Sequence, residues 1–191
     1  VPLRIEAIAP PPLPPAPDDP EIARRIATVS RFVGAMLAMT LASASAGDRT
    51  PAWFSRVPNV FNAPGQWSSE TGYGNLHAHY CAAPFVLRPD EALLIEGELP
   101  QCRFANLVLW NRYMQSFDYT RRQVSLNRSQ MVLGDGGSYR LIVAHRDPGV
   151  PNWLDTEGRA SGLMYWRFLL ATTAVPTPRA RLVKFADIAA A

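Results

Sequence analysis

Lysine is almost absent from this sequence, and cysteine and histidine are scarce. Of the 19 basic residues, only Lys184 is a lysine, and the arginines are spread along the chain without a basic block. That distribution lacks the basic arm typical of nucleic-acid binding. Two cysteines and 18% charged residues are too few for a disulfide scaffold or a disordered chain. The composition therefore predicts about one globular domain without a nucleic-acid partner.

Proline, in contrast, is abundant, with 18 residues. This favours loops and short strands over long helices. Seven of the prolines fall within residues 10–20, a density that favours an extended polyproline conformation. We interpret residues 1–20 as a Pro-rich linker or N-terminal arm. A docking peptide for an aromatic groove is the alternative.

The next segment, residues 21–47, has the pattern of an amphipathic helix. Asp18 or Asp19 can cap it, Pro20 suits its first position, and Gly47 is a plausible stop. Apolar residues recur at a spacing of three or four and form one face. They are Ile22, Ile26, Val29, Val33, Leu37 and Leu41. We expect this face to join a homo-oligomer or a partner chain.

The same segment also imitates a secretory signal, because arginines precede FVGAMLAMTL and the small residues ASASAG. It starts some way into the chain, however, and no uncharged run reaches the roughly 18 residues of a membrane span. We therefore predict a cytoplasmic protein with no membrane span. If residues 21–47 are a signal peptide at the true N-terminus, the protein is secreted or periplasmic instead.

From residue 51 onward, turns separate short apolar runs. TPAWFSRVPNVFNAPGQW predicts a long ordered loop, and turn-forming sequences such as RPD, GDGG and VPTP bound the later runs. The spacing indicates a mainly β fold, an antiparallel β-sandwich or jelly roll, over residues 51–191. The predicted strands cover residues 80–87, 91–98, 104–113, 138–146, 162–170 and 179–185.

Two of these strands place an arginine on an aromatic face. Alternation puts Arg112 on one face with Trp110, and Arg167 on one face with Tyr165. A guanidinium in such surroundings has to be paired or stacked. The pattern predicts a cavity or an interface more than a dry core.

The region from Tyr80 onward resembles a known domain family. The resemblance is carried by FANLVLWNRYMQSFDY, by VSLNRSQ and above all by HRDPGVPNWLDTEGR. These segments are similar to DUF1214 domains, and the match runs from about residue 51 to the C-terminus. The resemblance implies a jelly-roll sandwich of the kind that often ends longer bacterial chains. It brings no reaction and no catalytic residues.

The richest polar cluster follows the strand that ends near residue 146. One hypothesis makes His145, Asp147 and Asp155 catalytic, because a histidine oriented by a carboxylate can move a proton. The substrate would then be held by Arg112, Arg128, Asn152, Trp153 and Arg167. The alternative is a loop held in place by its own polar side chains, which needs no ligand.

Other candidate sites are weaker. His77 and His79 supply only two ligands, and Glu96 and Glu98 share one strand rather than facing each other. The two cysteines are expected to be free thiols. We predict neither a metal nor a cofactor.

Two functions are compatible with these features. The leading hypothesis is a binding or assembly domain, or a subunit of a larger protein or complex, since the sequence contains no complete catalytic signature. The alternative is an enzyme acting on a polar or carbohydrate-like small molecule in a His/Asp/Arg pocket.

Overall fold

The structure is a computed structural model that describes Arg4, Glu6 and residues 12–40, 50–67 and 74–190. The chain divides into two compact units, Val1–Gly34 and Ala35–Ala191. Residues 12–18, the described part of the Pro-rich arm, are exposed and have no regular secondary structure. The predicted division at residues 20, 47 and 51 stays a prediction.

Helix α1 spans Asp19–Thr40. Its N-terminus is capped by Asp18, whose Oδ1 accepts the Glu21 backbone N–H at 2.9 Å. Glu21 in turn pairs with Arg25 and Arg24, and both guanidiniums lower the pKa of its carboxyl. The predicted end of the helix at Gly47 lies outside the described residues.

The rest of the described chain is mainly β, as predicted, and forms two sheets. One has five strands in the order β1-β2-β8-β4-β5, and the other has four in the order β7-β6-β3-β9. Their bounds are β1 Gly65–Gln66, β2 Ala78–Val86, β3 Glu91–Glu98, β4 Phe104–Trp110, β5 Ser125–Asn127, β6 Ser138–Ala144, β7 Trp153–Asp155, β8 Ser161–Leu169 and β9 Arg179–Lys184.

The six predicted strands are all present, and the prediction of a mainly β sandwich is confirmed. The short strands β1, β5 and β7 were not predicted, because two or three residues carry no alternation. β7 also pairs in parallel with β6, whereas the sequence predicted only antiparallel pairing. Since β4 ends at Trp110, Arg112 lies beyond the strand on which it was predicted.

The inner faces of the two sheets share one apolar core. Trp166 of β8 is fully buried there and stacks on Phe168, with ring centroids 5.2 Å apart. From the other sheet, Ile95 and Leu141 are equally inaccessible. This shared core accounts for the strong apolar alternation of the long strands.

The outer face of the five-stranded sheet carries a second, aromatic cluster. Trp53, from the segment before β1, packs against Tyr80 and Tyr165 with centroids 5.4 and 5.9 Å apart. Phe54 forms a bridge to Ala82 of β2. The predicted ordered loop is therefore a cover over β2 and β8.

The outer face of the four-stranded sheet is covered differently. Leu94 and Ile142 form a small apolar cluster with Ile188 of the short 3₁₀ helix Phe185–Ala190. Beside this cluster, Glu96 of β3 contacts Arg140 at 3.1 Å and Arg181 at 3.9 Å. Charged pairs thus occupy the part of this face that the 3₁₀ helix does not cover.

Candidate functional site

His145 follows β6, and both of its ring nitrogens have partners. Nε2 lies 3.2 Å from the carbonyl oxygen of Arg88, which can only accept, so Nε2 carries the hydrogen. In the neutral ring, Nδ1 then accepts the hydroxyl hydrogen of Thr156 at 2.7 Å. Because Thr156 is fully buried, this arrangement ties the turn before β3 to the chain after β7.

Asp155, at the end of β7, is buried and also has partners on both carboxylate oxygens. Oδ2 accepts from Arg122 Nη1 at 2.7 Å, and Oδ1 accepts from the Glu157 backbone N–H at 2.7 Å. The paired carboxylate raises the pKa of the Arg122 guanidinium. Asp147 is exposed and closes a local turn by accepting from the Gly149 backbone N–H at 2.8 Å.

Asn152 is the most thoroughly bonded residue of the predicted cluster. Its side chain donates to the carbonyl oxygens of Val132 and Arg140 and accepts the Val132 backbone N–H at 2.8 Å. Its backbone is left-handed, with φ of 63°, a conformation that asparagine adopts more readily than most residues. Trp153 anchors the adjacent strand, since its indole N–H donates to the Ala144 carbonyl oxygen at 3.2 Å.

The three predicted arginines lie elsewhere and apart from His145. Arg167 is on β8 in the five-stranded sheet, over the rings of Tyr165 and Trp110. Arg128 follows β5 and lies close enough to the Cys102 thiol to lower its pKa. Arg112 lies in the turn after β4, beside the Tyr113 ring.

Part of the predicted site lines a set of neighbouring depressions in the surface. The largest is an open groove of about 900 Å³ over β3, β6 and β9. It shares Val132, Val150, Pro151 and Asn152 with a shallower depression that also includes Asp147 and Trp153. A third depression, around Arg122, shares Gln123 and Trp153 with the second one and also includes Asp155. None of the three includes His145, Arg112, Arg128 or Arg167 in its lining.

Sequence reasoning did not find two charged residues of the large groove. Glu98 at the end of β3 and Arg179 at the start of β9 both line it. Within the described part of the chain neither makes an ion pair. Glu98 was noted as a member of a strand pair with Glu96, but Arg179 had no sequence signal, because only the pairing of β9 with β3 brings it there.

The thiols are poor nucleophiles in this fold. Burial raises the pKa of Cys81 to about 12, and it also raises the pKa of Cys102, against a smaller lowering by Arg128. In the described ranges, no three His, Cys, Asp or Glu side chains are grouped closely enough to hold a metal ion. Nor does any described helix have the length and apolar character to cross a bilayer.

Two solved structures are similar to parts of this chain. An uncharacterised protein from Burkholderia cenocepacia is 33% identical over 66% of this chain, with a TM-score of 0.60. A protein from Vibrio parahaemolyticus is 16% identical over 61% of this chain, with a TM-score of 0.48. This chain spans about a third of the length of either protein, 36% and 33%. No family model and no curated protein matches the chain.

Proposed function

We propose that this chain is a binding and assembly domain that associates with a second copy of itself through α1. The observation that carries the proposal is the exposed apolar stripe of the helix. Ile26 and Val29 are 61% and 60% exposed. Helices in water obtain most of their stability from packing such a stripe against another surface.

The spacing of the stripe favours a second helix of the same kind as its partner. Ile22, Ile26, Val29 and Val33 follow one another at intervals of four, three and four residues, which is the heptad pattern of a coiled-coil seam. Arg24 lies on the opposite side of the helix. A self-complementary stripe of this kind suits a symmetric homo-oligomer.

The test is size-exclusion chromatography of the full chain with light scattering. The wild type is expected at a multiple of the 21.1 kDa chain mass. Ile26→Glu places a charge in the seam and should give a monomer. Thr28→Glu adds the same charge away from the seam, and should leave the assembly intact. A monomeric wild type, or equal effects of the two variants, contradicts the proposal.

A second candidate function is binding of a small polar ligand in the large groove. It is supported by Glu98 and Arg179, two groove charges with no ion pair among the described residues. The enzymatic form of this hypothesis needs a free His145, whereas both ring nitrogens are engaged with Thr156 and Arg88. Equal turnover of small polar substrates by wild type and His145→Ala would remove His145 from any mechanism.

Membership of the DUF1214 family is compatible with the mainly β sandwich and stays a prediction. The predicted cytoplasmic location, and the catalytic and binding roles given to the cluster around His145, likewise stay predictions.

A further inference from the structure

Arg167 is a half-buried cation on a sheet that offers it no counter-charge. The five strands of its sheet contain no aspartate or glutamate. Its guanidinium carbon lies 4.7 Å from the Tyr165 ring centroid and 5.3 Å from that of Trp110. Within the described ranges, it makes no ion pair. The charge is therefore stacked on rings but is not neutralised by a carboxylate of the described residues.

Stacking on rings leaves the hydrogen-bonding capacity of the guanidinium unused. Arginine has five N–H donors in a planar fork that matches a carboxylate. No described residue accepts a hydrogen bond from the Arg167 side chain. A half-buried guanidinium with open donors is complementary in charge and shape to an anionic ligand.

The neighbours of Arg167 supply a flat ring and neutral polar groups. Trp110 is half-buried and stacks on Tyr165, with centroids 4.4 Å apart. Directly across from Arg167 on β4, Asn106 has a buried Oδ1 without a hydrogen-bond partner among the described residues. Further across, Ser125 and Asn127 of β5 lie on the same face and are half-buried.

Within the described residues, the aromatic cover over this sheet lies to one side of these residues. Trp53 and Phe54 pack against β2 and β8, on the Tyr80 and Tyr165 side. On the β4 and β5 side, Asn106, Trp110 and Asn127 remain half-buried. The aromatic cover therefore forms one border of a surface that has Arg167 at its centre.

We propose that this surface binds an acidic sugar, with the uronate carboxylate on Arg167 and the sugar ring on Trp110. The hydroxyl group of Ser125, on the same face, is available to the sugar hydroxyls, whereas the Asn127 Oδ1 already accepts the backbone N–H groups of Ser129 and Gln130. The buried Asn106 Oδ1 lies beneath this surface and adds polarity without a partner among the described residues. These neutral groups favour a sugar over a flat aromatic carboxylate, which has no hydroxyl groups to bond to them. The site lies on the five-stranded sheet, so it is distinct from the groove and from the assembly face of α1.

The test is a titration of the full chain with sodium glucuronate at constant ionic strength, followed by the indole N–H signals in ¹H–¹⁵N NMR spectra. A saturable shift of the Trp110 signal is expected. Glucose and sodium benzoate, which lack the carboxylate and the hydroxyls respectively, should each bind about tenfold more weakly, as expected when a charge-assisted or neutral hydrogen-bond set is lost.

Variants distinguish binding at Arg167 from general attraction of the anion to the positively charged surface. Arg167→Gln should weaken glucuronate binding by about tenfold, and Arg167→Lys, which keeps the charge but not the fork, should weaken it severalfold. Arg103→Gln removes an exposed arginine just before β4 and should leave the affinity unchanged. The proposal is overturned if glucuronate gives no saturable shift, if glucose or benzoate binds equally well, or if Arg167→Gln has no more effect than Arg103→Gln. The dimerisation test is unaffected by any of these results.

Discussion

The two sheets of this sandwich share a core but differ in how their outer faces are stabilised. The four-stranded sheet joins its strands and loops by charge pairs, such as Glu96 with Arg140 and Asp155 with Arg122. The five-stranded sheet carries no carboxylate on its strands and is covered by packed aromatic rings. Its cation Arg167 has ring contacts but no ion pair in the described chain.

This difference separates polar residues whose hydrogen-bonding groups are bonded within the fold from polar residues whose groups have no partner among the described residues. On the four-stranded side, the sequence predicts His145 and Asp155 to be catalytic and Asn152 to bind substrate, yet their polar atoms already bond to neighbouring loops. On the five-stranded side lie the buried polar atoms of Asn106 and Trp53, which have no partner among the described residues. Unfilled bonding capacity is therefore the better guide to a ligand than polarity in the sequence.

The largest expected effect tests the aromatic cover. Trp53→Ala removes a ring that is 3% exposed and contacts four other aromatic side chains. We expect the free energy of unfolding to fall by about 3–5 kcal/mol, measured by urea denaturation. Tyr119→Ala is the control, because this aromatic side chain is 72% exposed and should change stability little. Equal losses of unfolding free energy in the two variants would show that the aromatic cover stabilises the sheet no more than an exposed ring does.

A smaller effect tests the polar network of the four-stranded side. Asp155→Ala leaves the Glu157 N–H and the Arg122 guanidinium without their acceptor, so stability should fall by about 1–3 kcal/mol. Asp147→Ala removes one bond in an exposed turn and should cost less than about 1 kcal/mol. The measurement is the same denaturation series. If Asp147→Ala proves the more damaging, Asp155 does not have the structural role inferred from its contacts.

The third effect is a pH dependence that both sheets should share, and for a single group near pH 10 it is small. Burial raises the pKa of Cys81 to about 12 and that of Tyr139 and Tyr165 above its ordinary value of 10.0. These groups keep their protons in the folded protein at a pH where the unfolded chain has lost them. The contribution of these groups to the free energy of unfolding should therefore be fully present below pH 9. Above pH 9 the free energy of unfolding should fall, by up to about 1.4 kcal/mol per pH unit for each group.

Single variants show how much of the loss of stability at alkaline pH comes from the buried tyrosine of each sheet. We expect Tyr165→Phe in the five-stranded sheet and Tyr139→Phe in the four-stranded sheet to reduce the fall in unfolding free energy between pH 10 and 11. Each reduction should be at most the effect of one proton, about 1.4 kcal/mol per pH unit. Tyr119→Phe is the exposed control and should leave the slope unchanged. Urea denaturation at a series of pH values gives all three slopes. A decline as steep as that of the wild type in either variant argues against the protonated burial of that tyrosine.

Most of the long strands were predictable because each is a run of largely buried residues bounded by turn-forming sequences. In β8 the alternation of Met164, Trp166 and Phe168 with outward residues directly indicates a strand with two distinct sides. The helix start was predictable for a similarly local reason, since Asp18 caps it within three residues. Strand β7 was not, because Trp153–Asp155 becomes a strand only by pairing with β6.

The candidate site was less predictable than the fold. Asp147, Asn152 and Trp153 do lie together, since they are close in sequence and belong to one turn. Arg112, Arg128 and Arg167 were grouped with them only by residue type, and they lie on the five-stranded side or beyond the end of its strands. Residue type indicates what a side chain can bind, but not which of its bonds the fold has already filled.

The sequence by itself determined the β architecture, the capped helix and the positions of the long strands, because these depend on short-range periodicity and turn chemistry. Only the tertiary structure decided which polar residues have hydrogen-bonding groups without a partner among the described residues. His145 acquires its partners from residues 57 and 11 positions away, whereas Arg167 has aromatic neighbours and makes no ion pair with a carboxylate of the described residues. Hydrogen-bond satisfaction depends on contacts between distant segments, which no local pattern records.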